Sequence, residues 1–144
     1  MKIYIASDKE GLLLKNSVKK YIINRYSEYE IVDLTHNGAE DFVDSSRLIA
    51  ESLKEDTNAL GILIDETGAG SFMTVTKFSG ITAAEVSDEH SAKMTRSHNN
   101  ARVITMGQGI VGPLLANRIA EVFLEADYAG GRHQIRVDML DAMC

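Results

Sequence analysis

The chain has 144 residues, a formal net charge of −6 and 44% hydrophobic residues. That length suits one domain with a proper core rather than two, so residues 1–144 are read as a single domain. The acidic balance argues against a protein built mainly to hold nucleic acid, and any anionic ligand must meet a local cluster of base. No apolar run reaches bilayer length, and Met1-Lys2-Ile3-Tyr4-Ile5-Ala6 reads as a strand rather than a signal segment. A cytoplasmic protein with no membrane partner is expected. The one cysteine, Cys144, is the last residue, which excludes an internal disulfide. No CxxC, HExxH or carboxylate-rich calcium loop occurs, so no metal site is expected.

In chain order, Ile3 to Ala6 is a short apolar strand, and Ser7-Asp8 is a helix N-cap pair. Leu12, Leu13, Val18, Ile22 and Ile23 then recur at near-helical spacing, with Lys15, Lys19 and Lys20 between them. Glu30 to Leu34 is a strand that runs into the loop Thr35-His36-Asn37-Gly38. Asp41 to Lys54 is an amphipathic helix, and Leu60 to Ile64 is an apolar, buried strand. That strand ends in Asp65-Glu66 and the turn Thr67-Gly68-Ala69-Gly70-Ser71. Such a turn gathers backbone N–H groups beside a helix N-terminus, where negative charge is welcome. A helix over Phe72 to Phe78 follows, then a strand over Ile81 to Val86. Ser87-Asp88-Glu89 caps the next helix, which ends near Ser97-His98-Asn99-Asn100. Val103 to Met106 is the fifth strand, Gly107 to Gly112 a loop, and Pro113 opens a helix to Ala126. Tyr128-Ala129-Gly130-Gly131 breaks it, and Arg132 to Met143 reads as a terminal helix.

Strands that alternate with helices, without hairpin dipeptides, predict an α/β fold with a five-stranded parallel sheet between helical layers. The terminal helix has no strand to follow, so it is expected to pack on a neighbouring chain and serve oligomerisation. Parallel geometry gathers Ser7-Asp8-Lys9, Asp65 to Ser71 and Ser87-Asp88 at one sheet edge. His98 and Asn99 precede the fifth strand and fall at the other edge, unless a helix projects past it or a second subunit supplies them.

Several residues carry two readings. His98 has the side chain suited to proton transfer near neutrality, or it is a helix-terminal histidine facing the backbone dipole. Asn99 is a ligand or a C-terminal helix cap. Arg132 and Arg136, four apart on a presumed helix, clamp a phosphate or form a solvated face. His133 lies between them and points elsewhere. Asp65 and Glu66 leave the strand on opposite sides, so they need not act as a pair, and their charge opposes an anion over the next turn.

Ile62 to Gly80, Ser91 to Asn100 and Tyr128 to Val137, with the Ser7-Asp8 start, resemble the signature segments of a known family. It is the type-B ribose-5-phosphate isomerase and galactose-6-phosphate isomerase family, and the details are most similar to its A-type galactose-6-phosphate isomerase subunits. The resemblance implies a Rossmann-like α/β/α fold with active sites at subunit interfaces. It also implies aldose–ketose isomerisation of a sugar phosphate through an enediolate, without a metal or other cofactor, and a B-type partner subunit. By the same resemblance Asp65 stands where active members carry a cysteine base, and the Gly68, Gly70 and Ser71 turn holds the enediolate. Thr67 and His98 assist ring opening, Asp8 and Asn99 hold the sugar, and Arg132 and Arg136 bind its phosphate. The departures are Asp65 for cysteine, Glu66 for glycine, Lys9 for histidine, and Gly109 where many relatives carry an arginine. They suggest a chain that lends its intact half to a cysteine-bearing partner. The alternatives are a homo-oligomeric isomerase with Asp65 as base, and a non-catalytic sugar-phosphate-binding scaffold. An isolated chain is expected to form a homodimer or homotetramer.

Overall fold

The computed structural model describes residues 1–144. Strands and helices alternate as β1 (Lys2–Ser7), α1 (Leu12–Arg25), β2 (Glu30–Asp33), α2 (Phe42–Glu55), β3 (Leu60–Asp65), α3 (Ala69–Val75), β4 (Ala83–Glu85), α4 (Glu89–Asn99), β5 (Val103–Gly107) and α5 (Pro113–Glu125). A 3-10 turn (Gly131–His133) and α6 (Gln134–Asp141) end the chain. All strand pairs are parallel, in the order β2-β1-β3-β5-β4. This is the five-stranded α/β/α arrangement that the alternation predicts.

Burial sorts the side chains to two faces of the sheet, because successive strand residues point to opposite sides. One face sets Ile3, Ile5, Ile62, Ile64, Ile104 and Met106 against α1, α4 and α5. The other sets Ala6, Leu63 and Val103 against α2 and α3. Every residue of β3 is buried, as a strand covered on both faces requires. The chain winds outward from β1 to β2 and, in the other direction, from β3 past β5 to β4. The winding therefore reverses between β1 and β3, which leaves a crevice at their carboxyl ends.

Local chemistry sets most helix starts. Asp41 accepts the Asp44 N–H at 2.9 Å, and Asp88 accepts the Ser91 N–H at 2.7 Å. Pro113 sits in the first turn of α5. Three details differ from the sequence reading. The N-cap of α1 is Gly11, and Asp8 instead accepts the Gly11 N–H at 2.9 Å one turn earlier. The C-cap of α4 is Asn100, in the left-handed region at φ 55°, so Asn99 is the last helical residue. The helix after the Gly-rich turn starts at Ala69, not Phe72, and stops at Val75. Within α1, Leu13 and Ile23 face solvent, whereas Lys15 is fully buried. Its ammonium pairs with Asp33 at 2.9 Å and donates to the Thr35 carbonyl. The terminal helix packs on α4 of its own chain with Val137 buried, and Ile135, Met139, Leu140 and Met143 stay exposed.

Candidate active site

The residues singled out by sequence fall into two groups at opposite edges of the sheet. At the carboxyl edge stand Asp8, Asp65, Thr67, Gly68, Gly70 and Ser71. Asp65 ends β3 with its carboxylate buried, 3% exposed. One oxygen accepts the N–H of Thr67 at 3.0 Å and that of Gly68; the other accepts the Ser71 N–H at 2.8 Å and its hydroxyl at 2.9 Å. Three of the turn's N–H groups, those of Thr67, Gly68 and Ser71, are thus turned onto the chain's own carboxylate. A charge-assisted set of this kind is strong, and it uses the carboxylate lone pairs that a general base needs.

The turn needs its glycines for a steric reason. Gly68 has φ 83°, and a Cβ there would lie 2.9 Å from the Met106 carbonyl carbon. Thr105 fixes its carbonyl with a hydroxyl bond of 2.7 Å. Gly70 leaves room for the Phe42 ring, whose atoms lie 2.9 Å from where a Cβ would be, so its bare face meets protein. Glu66 lies against Gly109, where any Cβ would overlap its carboxyl group. Thr67 is exposed, and its hydroxyl accepts the Ala69 N–H at 3.3 Å.

Asp8 is 6% exposed beside this turn. Burial pushes its carboxyl above the usual range; the Gly11 N–H opposes the rise and the Asp65 charge adds to it. Behind Asp8 lies a buried polar network that the sequence did not disclose. Thr35 accepts the Ser7 N–H at 2.8 Å, and Asp33 accepts the Thr35 N–H at 3.1 Å and takes Lys15 and Lys19 at 2.9 Å each. It ties the loop after β2 to β1, where Ala39 bridges Asp8.

At the other edge stand His98, Asn99, Arg132 and Arg136. α4 starts beyond the carboxyl end of β4 and returns to the start of β5, so its last turn lies at the amino edge. Asn99 there lines a 340 Å³ pocket with Ile81 and Thr82 from ahead of β4 and Leu140 and Met143 from the terminal segment. The His98 ring stacks on that of His133, with centroids 3.9 Å apart and planes 11° apart. Burial, then His98, Arg132 and Arg136, hold the His133 imidazole below its usual value. His133 is the residue that helical spacing misplaced: it occupies the 3-10 turn ahead of α6, not the helix itself. Arg132 shares that turn and Arg136 lies in α6, both exposed. The other five arginines are engaged: Arg25 and Arg118 with Glu121, Arg47 with Glu51, Arg96 with Asn100, and Arg102 with carbonyls at the end of α2. Arg132 and Arg136 have no carboxylate or carbonyl partner in the chain.

No three His, Cys, Asp or Glu side chains converge as a metal-ligand group, and no helix is long and apolar enough to cross a membrane. What the chain carries is a filled acidic turn at one edge and a free, basic, histidine-containing group at the other.

The fold has counterparts among known proteins. The family model described as Ribose/Galactose Isomerase matches residues 3–140. Over all 144 residues, and the full length of the relative, the chain is 51% identical to the galactose-6-phosphate isomerase subunit LacA of Staphylococcus aureus. Among solved structures, ribose-5-phosphate isomerase B of Clostridium thermocellum is 35% identical, with a TM-score of 0.92 over 99% of this chain and 97% of that one. Ribose-5-phosphate isomerase B of Mycoplasma genitalium, solved with bound ribulose-5-phosphate, is also 35% identical, with a TM-score of 0.91 over 98% and 94%. The chain belongs to the ribose/galactose isomerase family.

Proposed function

We propose that residues 1–144 act as one domain, the A-type subunit of a heteromeric galactose-6-phosphate isomerase of the cytoplasm. It interconverts galactose 6-phosphate and tagatose 6-phosphate with a cysteine-bearing B-type partner. The observation that carries this reading is the state of the two half-sites. Asp65 takes the Thr67, Gly68 and Ser71 donors of its own turn, while the Arg132, Arg136 and His98 group is free and lies at the opposite edge. One chain cannot bring the halves together, so a complete site needs another chain. The half that a partner must supply is the base and an unfilled turn.

In the composite site Arg132 and Arg136 hold the phosphate through charge-assisted bonds. Asn99 holds the sugar, and His98 passes a proton between the ring oxygen and the anomeric hydroxyl to open the ring. The C2 proton of the open aldose moves to the partner's cysteine thiolate, and the electron pair left behind forms the enediolate. The partner's turn N–H groups stabilise its oxygen. Passage of the hydroxyl proton from O2 to O1 moves the charge to O2, and return of the carbon-bound proton to C1 then gives the ketose, so no hydride acceptor or other cofactor enters the balance. This chain's Asp8, Thr67, Gly68, Gly70 and Ser71 belong to the second, acidic pocket of the complex. The exposed apolar residues of α6 suit it to an interface, and an isolated chain forms a homo-oligomer through the same surfaces.

The test is an isomerase assay of the purified chain alone, of the partner alone, and of the two together. Turnover should require the mixture. Full activity from this chain alone would overturn the reading and return Asp65 to the role of base. Sugar-phosphate binding without turnover in any mixture would make the chain a scaffold.

A further inference from the structure

His133 touches no group at the filled turn, and helical spacing alone would only point it away from Arg132 and Arg136. The backbone puts it elsewhere. Gly130 at φ 59° and Gly131 at φ 56° take the left-handed conformation that favours glycine. The chain thereby bends sharply before the 3-10 turn, whose His133 N–H donates to the Gly130 carbonyl at 3.0 Å. Just upstream, the Ala129 N–H donates to the Ser97 carbonyl at 2.9 Å, which fastens this segment to the last turn of α4 beside His98. Two elements distant in sequence are thus locked together, and the two imidazoles meet face to face at 3.9 Å.

None of the four ring nitrogens has a hydrogen-bond partner within the chain, so stacking is the contact that orients the rings. An imidazole at an exposed helix end otherwise samples several rotamers, and proton transfer depends steeply on placement. We propose that His133 is a positioning residue, which fixes the plane in which His98 presents its nitrogens to the sugar. The inference rests on His98 being the ring-opening group. His133 does this as an aromatic surface, not as a charge. From α4 it faces His98, and from its own segment Arg132 and Arg136, all of which oppose a second positive charge there. Its contribution therefore differs from that of the two arginines: it acts on the proton-transfer step, not on phosphate affinity.

The test uses the mixed complex and the isolated chain. In the complex, His133→Ala should lower kcat about tenfold with KM within about twofold of wild type, as expected when a catalytic group is misplaced rather than lost. His133→Phe keeps a stacking ring without a titratable nitrogen and should restore kcat to within about threefold. In NMR spectra of the isolated chain, the His98 ring protons should lose their ring-current shift in His133→Ala and retain one in His133→Phe. Wild-type kcat in His133→Ala would overturn the inference, as would a rise in KM alone or a phenylalanine variant as slow as the alanine one. His98→Ala is the control. If it leaves kcat unchanged, the catalytic reading of His98 has failed; if it abolishes turnover while His133→Ala does not, only the role of His133 has failed.

Discussion

The two edges of this sheet both carry polar and charged groups and use them in opposite ways. At the carboxyl edge, Asp65 turns its carboxylate inward onto the N–H groups of Thr67, Gly68 and Ser71 and onto the Ser71 hydroxyl. At the amino edge, Arg132 and Arg136 reach no acceptor, and the His98 and His133 rings hold each other by stacking alone. A satisfied polar cluster stabilises a fold; an unsatisfied one that faces solvent is available to a ligand. The difference teaches which half of an inherited site this chain still offers, and it does so by hydrogen-bond accounting rather than by residue type. Carboxylate, hydroxyl and glycine at the carboxyl edge look like catalytic equipment, yet they are bonded as structural parts.

Breaking each half separately should therefore give opposite phenotypes. Asp65→Ala leaves the Thr67, Gly68 and Ser71 N–H groups without their acceptor and should lower stability by about 3–5 kcal/mol, on the scale of stranded donors to a charged group. Asp65→Asn keeps one acceptor oxygen and should lose less. Arg132→Ala, at an exposed position without a partner, should change stability by less than about 0.5 kcal/mol. Urea unfolding midpoints measure all three; equal losses for Asp65→Ala and Arg132→Ala would erase the distinction.

A smaller effect sharpens the same contrast through pH. The His133 imidazole is held below its usual value in the folded chain, by burial first and then by His98, Arg132 and Arg136. The unfolded chain therefore binds the proton more readily, and stability falls as pH drops through the unfolded histidine value of about 6.5 toward the lower folded one. His133→Phe should flatten that part of the profile. Melting temperatures between about pH 5 and pH 7.5 test this, and an unchanged slope in the variant would remove His133 as its source.

Much of this molecule was legible in the sequence because its signals are local. The apolar run of β3, the Asp88 cap and Pro113 at the start of α5 each act within a few residues, and each element appears where its signal lies. Sheet order was not legible, since nothing local tells β5 to insert between β3 and β4. Nor was Lys15 legible as a core residue: its burial depends on Asp33 in the next strand, and a lysine in a helix pattern reads as solvent-facing. At the site, alternation along the chain was enough to place His98 and the Gly-rich turn at opposite edges. The role of His133 was missed because one continuous helix was assumed from Arg132 onward. The two left-handed glycines rotate the chain before that helix begins, so Gly130-Gly131 acts as a pointing device as well as a breaker.

The central claim is that the working half-site of this chain is the free one. Its most direct test is kcat/KM of the mixed complex carrying either His98→Ala or Asp65→Asn. The account predicts a loss of about 10²–10⁴-fold for His98→Ala, the range for removal of a general acid–base group, and activity within about threefold of wild type for Asp65→Asn. The reverse pattern, with Asp65→Asn inactive and His98→Ala near wild type, would contradict it.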